Sequence, residues 1–183
     1  MSDTKENMTD ILAELDEILM IVDPESIDKL IVKIKEAERV FLAGAGRSLL
    51  MIKGFAMRLM HMGFTVYVVG ETTTPAVSGN DLVIFGSGSG ETGALKTMAE
   101  KTKGLGAEIA LITYSPKSTI AKLADVVVEI PIGNSKTKFQ PSGSSFEQSM
   151  LIFFDALVLT IYHNENEDSD IDSYIKLRHA NLE

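Results

Sequence analysis

The chain of 183 residues contains no cysteine. Disulfides, thiolate metal sites and a cysteine nucleophile are thereby excluded, and a reducing compartment fits. Histidine is scarce too. His61, His163 and His179 lie far apart with no H-x-x-x-H spacing, so neither a histidine-built metal site nor any other metal is expected. Positive charge falls short of negative, 17 Lys and Arg against 26 Asp and Glu for a formal net charge of -9. That balance argues against a nucleic-acid partner, because phosphate backbones are held by basic surfaces. No apolar run reaches membrane-spanning length, and Met1 to Glu6 is polar with no signal-peptide core. The expectation is a soluble cytoplasmic protein that meets no membrane.

What is present is 45% hydrophobic content in a length suited to one well-packed domain over 1–183. Residues Met8 to Ile21 carry a helical apolar stripe that stops before Pro24, and Ser26 to Ala37 repeats it, giving two N-terminal helices within 1–37 that would suit dimer arms. The core then spans 39–163. Strands are predicted at Val40 to Ala43, Phe64 to Val69, Asp81 to Phe85, Glu108 to Thr113 and Val126 to Ile130. Helices are predicted at Leu49 to Met62, from Thr92 onward, at Ser118 to Leu123 and, apolar on nearly every side, at Phe146 to Tyr162. Pro131 to Gly143, with Lys136 and Lys138, reads as loop; 164–183 reads as an acidic linker followed by a tail helix from Ile171 to Glu183. Alternation at this spacing predicts an α/β fold, a three-layer αβα sandwich of flavodoxin-like type around a five-stranded parallel sheet. Ligands then sit beyond the carboxyl ends of the strands.

Two glycine-rich loops fall at such ends. The more informative is Phe85-Gly86-Ser87-Gly88-Ser89-Gly90-Glu91-Thr92, between a buried strand and a helix. The first N–H groups of a helix lack partners inside it, and an anion can fill that vacancy. Glycines allow close approach, and Ser87, Ser89 and Thr92 offer hydroxyls. The competing reading is that these hydroxyls merely cap the helix. The other loop, Gly44-Ala45-Gly46-Arg47-Ser48-Leu49, begins like a dinucleotide fingerprint with Glu71 placed as the ribose acid, but Leu49 stands where the third glycine belongs. No Gly-Lys-Ser/Thr follows either loop, and neither Ser87 nor Ser89 is flanked as in a nucleophile elbow. Those serines are binders rather than attackers.

The segment Ser87 to Thr92 matches in full the Ser-x-Ser-Gly-Glu-Thr phosphate loop of the sugar isomerase (SIS) domain family, which the chain resembles. Five further stretches are similar to its hexulose-phosphate isomerase branch: Gly44 to Ser48, Phe55 to Phe64, Gly70 to Pro75, Gln140 to Glu147 and Arg178 to Glu183. The resemblance implies interconversion of D-arabino-hex-3-ulose 6-phosphate and fructose 6-phosphate through an enediolate, without a cofactor, in a homotetramer with sites between chains. It also implies a place in the ribulose monophosphate pathway of formaldehyde assimilation. Substrate contacts fall to Arg47, Ser48, Ser87, Gly88, Ser89, Gly90, Glu91, Thr92 and His179, the last delivered to a neighbouring subunit.

Glu147 is the implied base, at the edge of the buried face of its helix. Locally, Ser144-Ser145-Phe146-Glu147 also reads as a capping box, with Glu147 folding back on its own helix start. His61 is the second implied catalytic group; alternatively it complements the dipole at the end of its helix. Two other functions stay open. One is a non-catalytic phosphosugar-binding domain, the other an aldose-ketose isomerase acting on a substrate such as arabinose 5-phosphate.

Overall fold

The structure, a computed structural model, describes residues 3–134, 139–166 and 170–182. Lys136, Lys138, part of the acidic linker and the last residue of the expected tail helix lie outside them. Strands β1 (Val40–Gly44), β2 (Val66–Val68), β3 (Leu82–Gly86), β4 (Glu108–Thr113) and β5 (Val126–Glu129) are all parallel, in the order β2-β1-β3-β4-β5. The runs at β1, β3 and β4 are apolar at nearly every position because both faces are covered. Val40, Leu42, Leu82, Ile84, Ala110 and Ile112 face one core; Phe41, Ala43, Val83, Phe85, Ile109 and Leu111 face the other.

The first face is covered by α2 (Pro24–Glu36), α3 (Gly46–His61) and α5 (Ser142–Glu165), with α1 (Thr4–Leu19) packed on α5. The second is covered by α4 (Gly93–Gly104) and the turns around Ile120. A short α6 (Ile171–Lys176) packs against α3. The sandwich and its five-stranded parallel sheet are therefore as the sequence implies.

Several boundaries differ. Helix α1 starts at Thr4 because Asp3 and Glu6 form a capping box, and α2 starts at Pro24, which serves as its first residue under the Asp23 cap. Helix α2 buries Leu30, Ile31 and Ile34 in this core and α1 adds Ile18 through its packing on α5, while Met8, Leu12 and Met20 of the N-terminal segment stay exposed. The expected helix at Ser118 to Leu123 is a run of turns. Its Ile120 N–H is taken by the carbonyl of Gly90 and its Thr119 is held by Glu91, so the helical ladder never closes. The tail helix ends at Lys176.

Opposite the glycine loops, the sheet is stapled at its amino-terminal edge. Asp81, whose side chain is 0% exposed, takes Arg39 Nε at 2.9 Å and Arg39 Nη2 at 2.7 Å, and also the Ser78 N–H at 2.6 Å. The staple joins the residues that lead into β1 and β3 and sets the register in which they pair. Burial alone would push this carboxyl up, but the bonds from Arg39 and Ser78 outweigh it and hold it below the usual carboxylate range. Such a group stabilises the fold above its unfolded pKa, and the contribution is lost as the pH falls through its folded pKa. Asp81→Asn is expected to cost about 3 kcal/mol near neutral pH, by urea unfolding, because it removes the negative charge facing the Arg39 guanidinium, whose Nη2 keeps only the Ala76 carbonyl and the Ser78 hydroxyl. The gap from wild type narrows below about pH 4; a gap that stays constant there would assign the loss to packing.

Candidate active site

Gly44 at the end of β1 and Gly86 at the end of β3 pair in register. After β1 the chain crosses to β2, and after β3 it crosses the opposite way to β4, so the crevice between the two strand ends is a topological switch point. Both strands lead into helices without a side-chain cap. Ala45 caps α3 by backbone alone, and Thr92 caps α4 with its hydroxyl unused for the purpose. The capping alternative for Thr92 is thus not realised, and two sets of helix N–H groups point at one corner.

The loop between β3 and α4 is tied to the end of β4. Ser87 N–H donates to the Ile112 carbonyl at 3.1 Å, and the Gly88 carbonyl accepts from the Thr113 hydroxyl at 2.7 Å and the Tyr114 N–H at 3.1 Å. Inside the loop, the hydroxyl oxygens of Ser87 and Ser89 accept from Gly90 N–H and Glu91 N–H, each at 3.2 Å, which leaves both hydroxyl protons for a ligand. Gly90 has φ +62°, and a Cβ there would lie 2.0 Å from Ser118 Oγ; only glycine makes this turn.

Glu91 is tethered within its own chain. Its carboxylate is held by Thr119 N–H at 2.6 Å, the Thr119 hydroxyl at 2.9 Å and Lys96 Nζ at 3.2 Å. The Thr119 backbone bond and then its hydroxyl lower the Glu91 pKa. The carboxylate faces the Ser118 turn, where it tethers the loop.

Arg47 and Ser48 stand in the first turn of α3. Arg47 Nη1 donates to Ser144 Oγ at 3.1 Å, and its Nε is 3.0 Å from Glu147 Oε2. The capping-box alternative for Glu147 is overturned here. Helix α5 starts at Ser142 with Pro141 at its N-cap, so Ser144 lies within the helix and Glu147 in its second turn, beyond reach of the cap. The Glu147 side chain is 14% exposed, and its Oε2 is buried with no hydrogen bond, since the nearby Arg47 N–H is not aimed at it. Phe146 places this helix beside the loop, packing edge-on to Tyr114 at 5.4 Å and against Gly88.

Arg47, Ser48, the loop Ser87 to Thr92 and Glu147 therefore gather at one corner. His61 and His179 do not. Arg47 is the second residue of α3 and His61 its last, about 21 Å apart at 1.5 Å per residue. His61 is buried there with Nδ1 unbonded, and its ring stacks on His179 of the same chain at 5.4 Å. The tail that carries His179 is docked by Arg178, which lies over Tyr174 at 4.9 Å and beside Gly63.

The domain model of the SIS family matches residues 33–160. The chain belongs to the SIS domain family. Among SIS relatives, the 3-hexulose-6-phosphate isomerase of Bacillus subtilis is 44% identical, with 98% of this chain aligned to 99% of that one. The 3-hexulose-6-phosphate isomerase of Mycobacterium gastri is 42% identical over 99% and 92% of the two chains. A crystal structure from Methanococcus jannaschii, for which a 3-hexulose-6-phosphate isomerase function was inferred, superposes with a TM-score of 0.81 at 36% identity, covering 96% of each chain. Glu71, the ribose acid of the dinucleotide alternative at Gly44 to Leu49, pairs its carboxylate with Lys53 at 2.6 Å.

Two contributors carry no local signal in the sequence. Ser144 reads as part of a cap, and Tyr114 belongs to no motif, although it follows β4 as the glycine loops follow β1 and β3. Thr74 donates to the Val68 carbonyl at 2.6 Å and so belongs to a turn.

Burial, then His179 and Arg58, lowers the His61 pKa. Asp172 borders the hollow in which His179 lies. A histidine kept neutral in the fold stabilises it above the unfolded pKa of about 6.5, and that contribution is lost as the pH falls. Thermal unfolding of wild type is expected to shift to lower temperature between pH 7.5 and 5.5, and His61→Asn to flatten that dependence. Parallel curves for the two proteins would remove His61 as the titrating group.

Proposed function

We propose that this protein is a cofactor-independent isomerase that interconverts D-arabino-hex-3-ulose 6-phosphate and fructose 6-phosphate. The observation that carries the reading is the half-buried Glu147 carboxylate beside an uncapped, hydroxyl-rich loop. The full-length similarity to named hexulose-phosphate isomerases supports it. In this account the phosphate dianion binds the N–H groups of Gly88 and Ser89, the hydroxyls of Ser48, Ser87, Ser89 and Thr92, and the start of α4. Arg47 is exposed enough to swing from Glu147 to the incoming phosphate, which frees the carboxylate.

Glu147 then takes the proton from C2 of the 3-ulose and returns it at C3. A second proton passes from the C2 hydroxyl to the C3 oxygen, so the carbonyl moves by one carbon and nothing is oxidised overall. No redox cofactor enters this balance.

His61 and His179 join the reaction in this proposal by completing the corner of a neighbouring subunit, in a homotetramer. Exposed apolar side chains on α3 and α5, among them Leu50, Met57, Leu151 and Leu159, support burial of that face by another copy. A cytoplasmic place in formaldehyde assimilation through the ribulose monophosphate pathway follows from the proposed substrate.

The test is proton exchange. In D2O with this protein alone, the NMR signal of the C3 proton of fructose 6-phosphate is expected to fade while the 3-ulose appears. Glu147→Gln is expected to slow turnover by about 10²- to 10⁴-fold with sugar-phosphate binding retained. Binding without exchange by wild type would favour the purely phosphosugar-binding reading, and faster turnover of arabinose 5-phosphate would move the substrate to an aldose-ketose pair.

A further inference from the structure

Glu14 is a charged residue on α1, only 2% exposed, and α1 lies wholly outside the part of the chain that the SIS domain model matches. Both its oxygens are engaged by the segment that leads into α5. Oε2 accepts from the backbone N–H of Gln140 at 3.1 Å, and Oε1 accepts from the Ser145 hydroxyl at 3.0 Å. These bonds cross 126 and 131 residues of sequence.

Beyond the packing of Phe146 and Met150 and the Arg47 bond to Ser144, the first turn of α5 has little to lock it. Pro141 at the N-cap offers no side-chain bond, and the first turn is closed by Ser144 and Ser145 N–H groups sharing the Pro141 carbonyl at 2.8 Å and 3.2 Å. Burying a carboxylate is costly, and an apolar contact would hold two helices together at least as well. Charge-assisted bonds differ in being directional. Residues on a helix are fixed in angle relative to one another, so seizing Ser145 from one side sets where Ser144 and Glu147 point. Those are the residues that meet Arg47.

We propose that Glu14 is a positioning residue for the catalytic corner: by holding Gln140 and Ser145 it sets the angle of the first turns of α5 on the packed helix beneath, so that Glu147 faces the phosphate loop. The proposal rests on the reading of Glu147 as the base. Glu14 does not touch the substrate. Its influence is confined to the geometry of α5 and leaves the phosphate loop on β3 and α4 unchanged.

The experiment compares wild type with Glu14→Gln and Ser145→Ala. Glutamine keeps the shape but not the charge: its oxygen can still accept from Gln140 N–H, while its amide nitrogen can only donate to Ser145 Oγ, which reverses that bond and removes the charge assistance from both. In Glu14→Gln, kcat with fructose 6-phosphate is expected to fall about tenfold to a hundredfold, while KM and the inhibition constant of inorganic phosphate stay within about twofold. Ser145→Ala is expected to move the same way by less. Amide hydrogen exchange should quicken at residues 142–147 in both variants and stay unchanged in the first turn of α4.

A folded Glu14→Gln with wild-type kcat would overturn the proposal. So would a loss in which kcat, KM and phosphate inhibition worsen together, which marks a scaffold loosened throughout. If Glu14→Gln does not fold, Ser145→Ala decides on the same criteria. Failure of the isomerase reading appears separately, as a wild type that binds phosphate but turns nothing over; exchange at 142–147 still decides whether Glu14 orders α5, and unchanged protection there refutes it.

Discussion

The close seat over Gly86 is the constraint on which the rest of the structure depends. A Cβ at that position would lie 2.7 Å from Ile52 Cγ1 on α3 and 3.1 Å from Met150 Sδ on α5. Two helices from distant parts of the chain thus press onto the last residue of β3, and no larger side chain would let them. Ile52 lies five residues after Arg47, and Met150 three after Glu147. Contact at Gly86 brings the two functional side chains to the same corner, and the in-register partner of Gly86, Gly44, starts the other loop there. The corner is therefore a product of packing, and its polar geometry inherits the rigidity of the core beneath.

Much of this was legible in the residues because the signals were local. Strands β1, β3 and β4 are covered on both faces, so their apolar runs leave little ambiguity. The loop Ser87 to Thr92 carries its chemistry in consecutive side chains. What was not legible depends on partners far away in sequence. Glu147 reads as a helix cap until the helix is found to begin at Ser142, and its actual companion, Arg47, is 100 residues upstream. Ser118 to Leu123 has a helical pattern, yet Gly90 and Glu91 claim its backbone and hydroxyl groups first. Glu14 looks like any exposed acid on an amphipathic helix. His61 shares a face with Arg58, but no sequence pattern says that α3 carries it away from the loops along the full depth of the sheet.

That separation divides each chain into two ends. At one are the loops, Arg47 and Glu147; at the other, two stacked imidazoles held by a docked tail. Helix α3 links them as a single rod, so the relation between the ends is set by an element with little freedom to bend. A site that draws on both needs more than one copy, oriented so that unlike ends meet.

The acidic surface and the nearly neutral corner bear on how a ligand arrives. A chain of formal net charge -9 repels a dianion at long range, where amides and hydroxyls exert almost no pull. Their attraction acts only over the last few ångströms, where water is displaced and screening is weak. Dissolved ions would thus hasten the approach of a sugar phosphate and barely loosen its hold, the reverse of what a lysine-lined funnel would do.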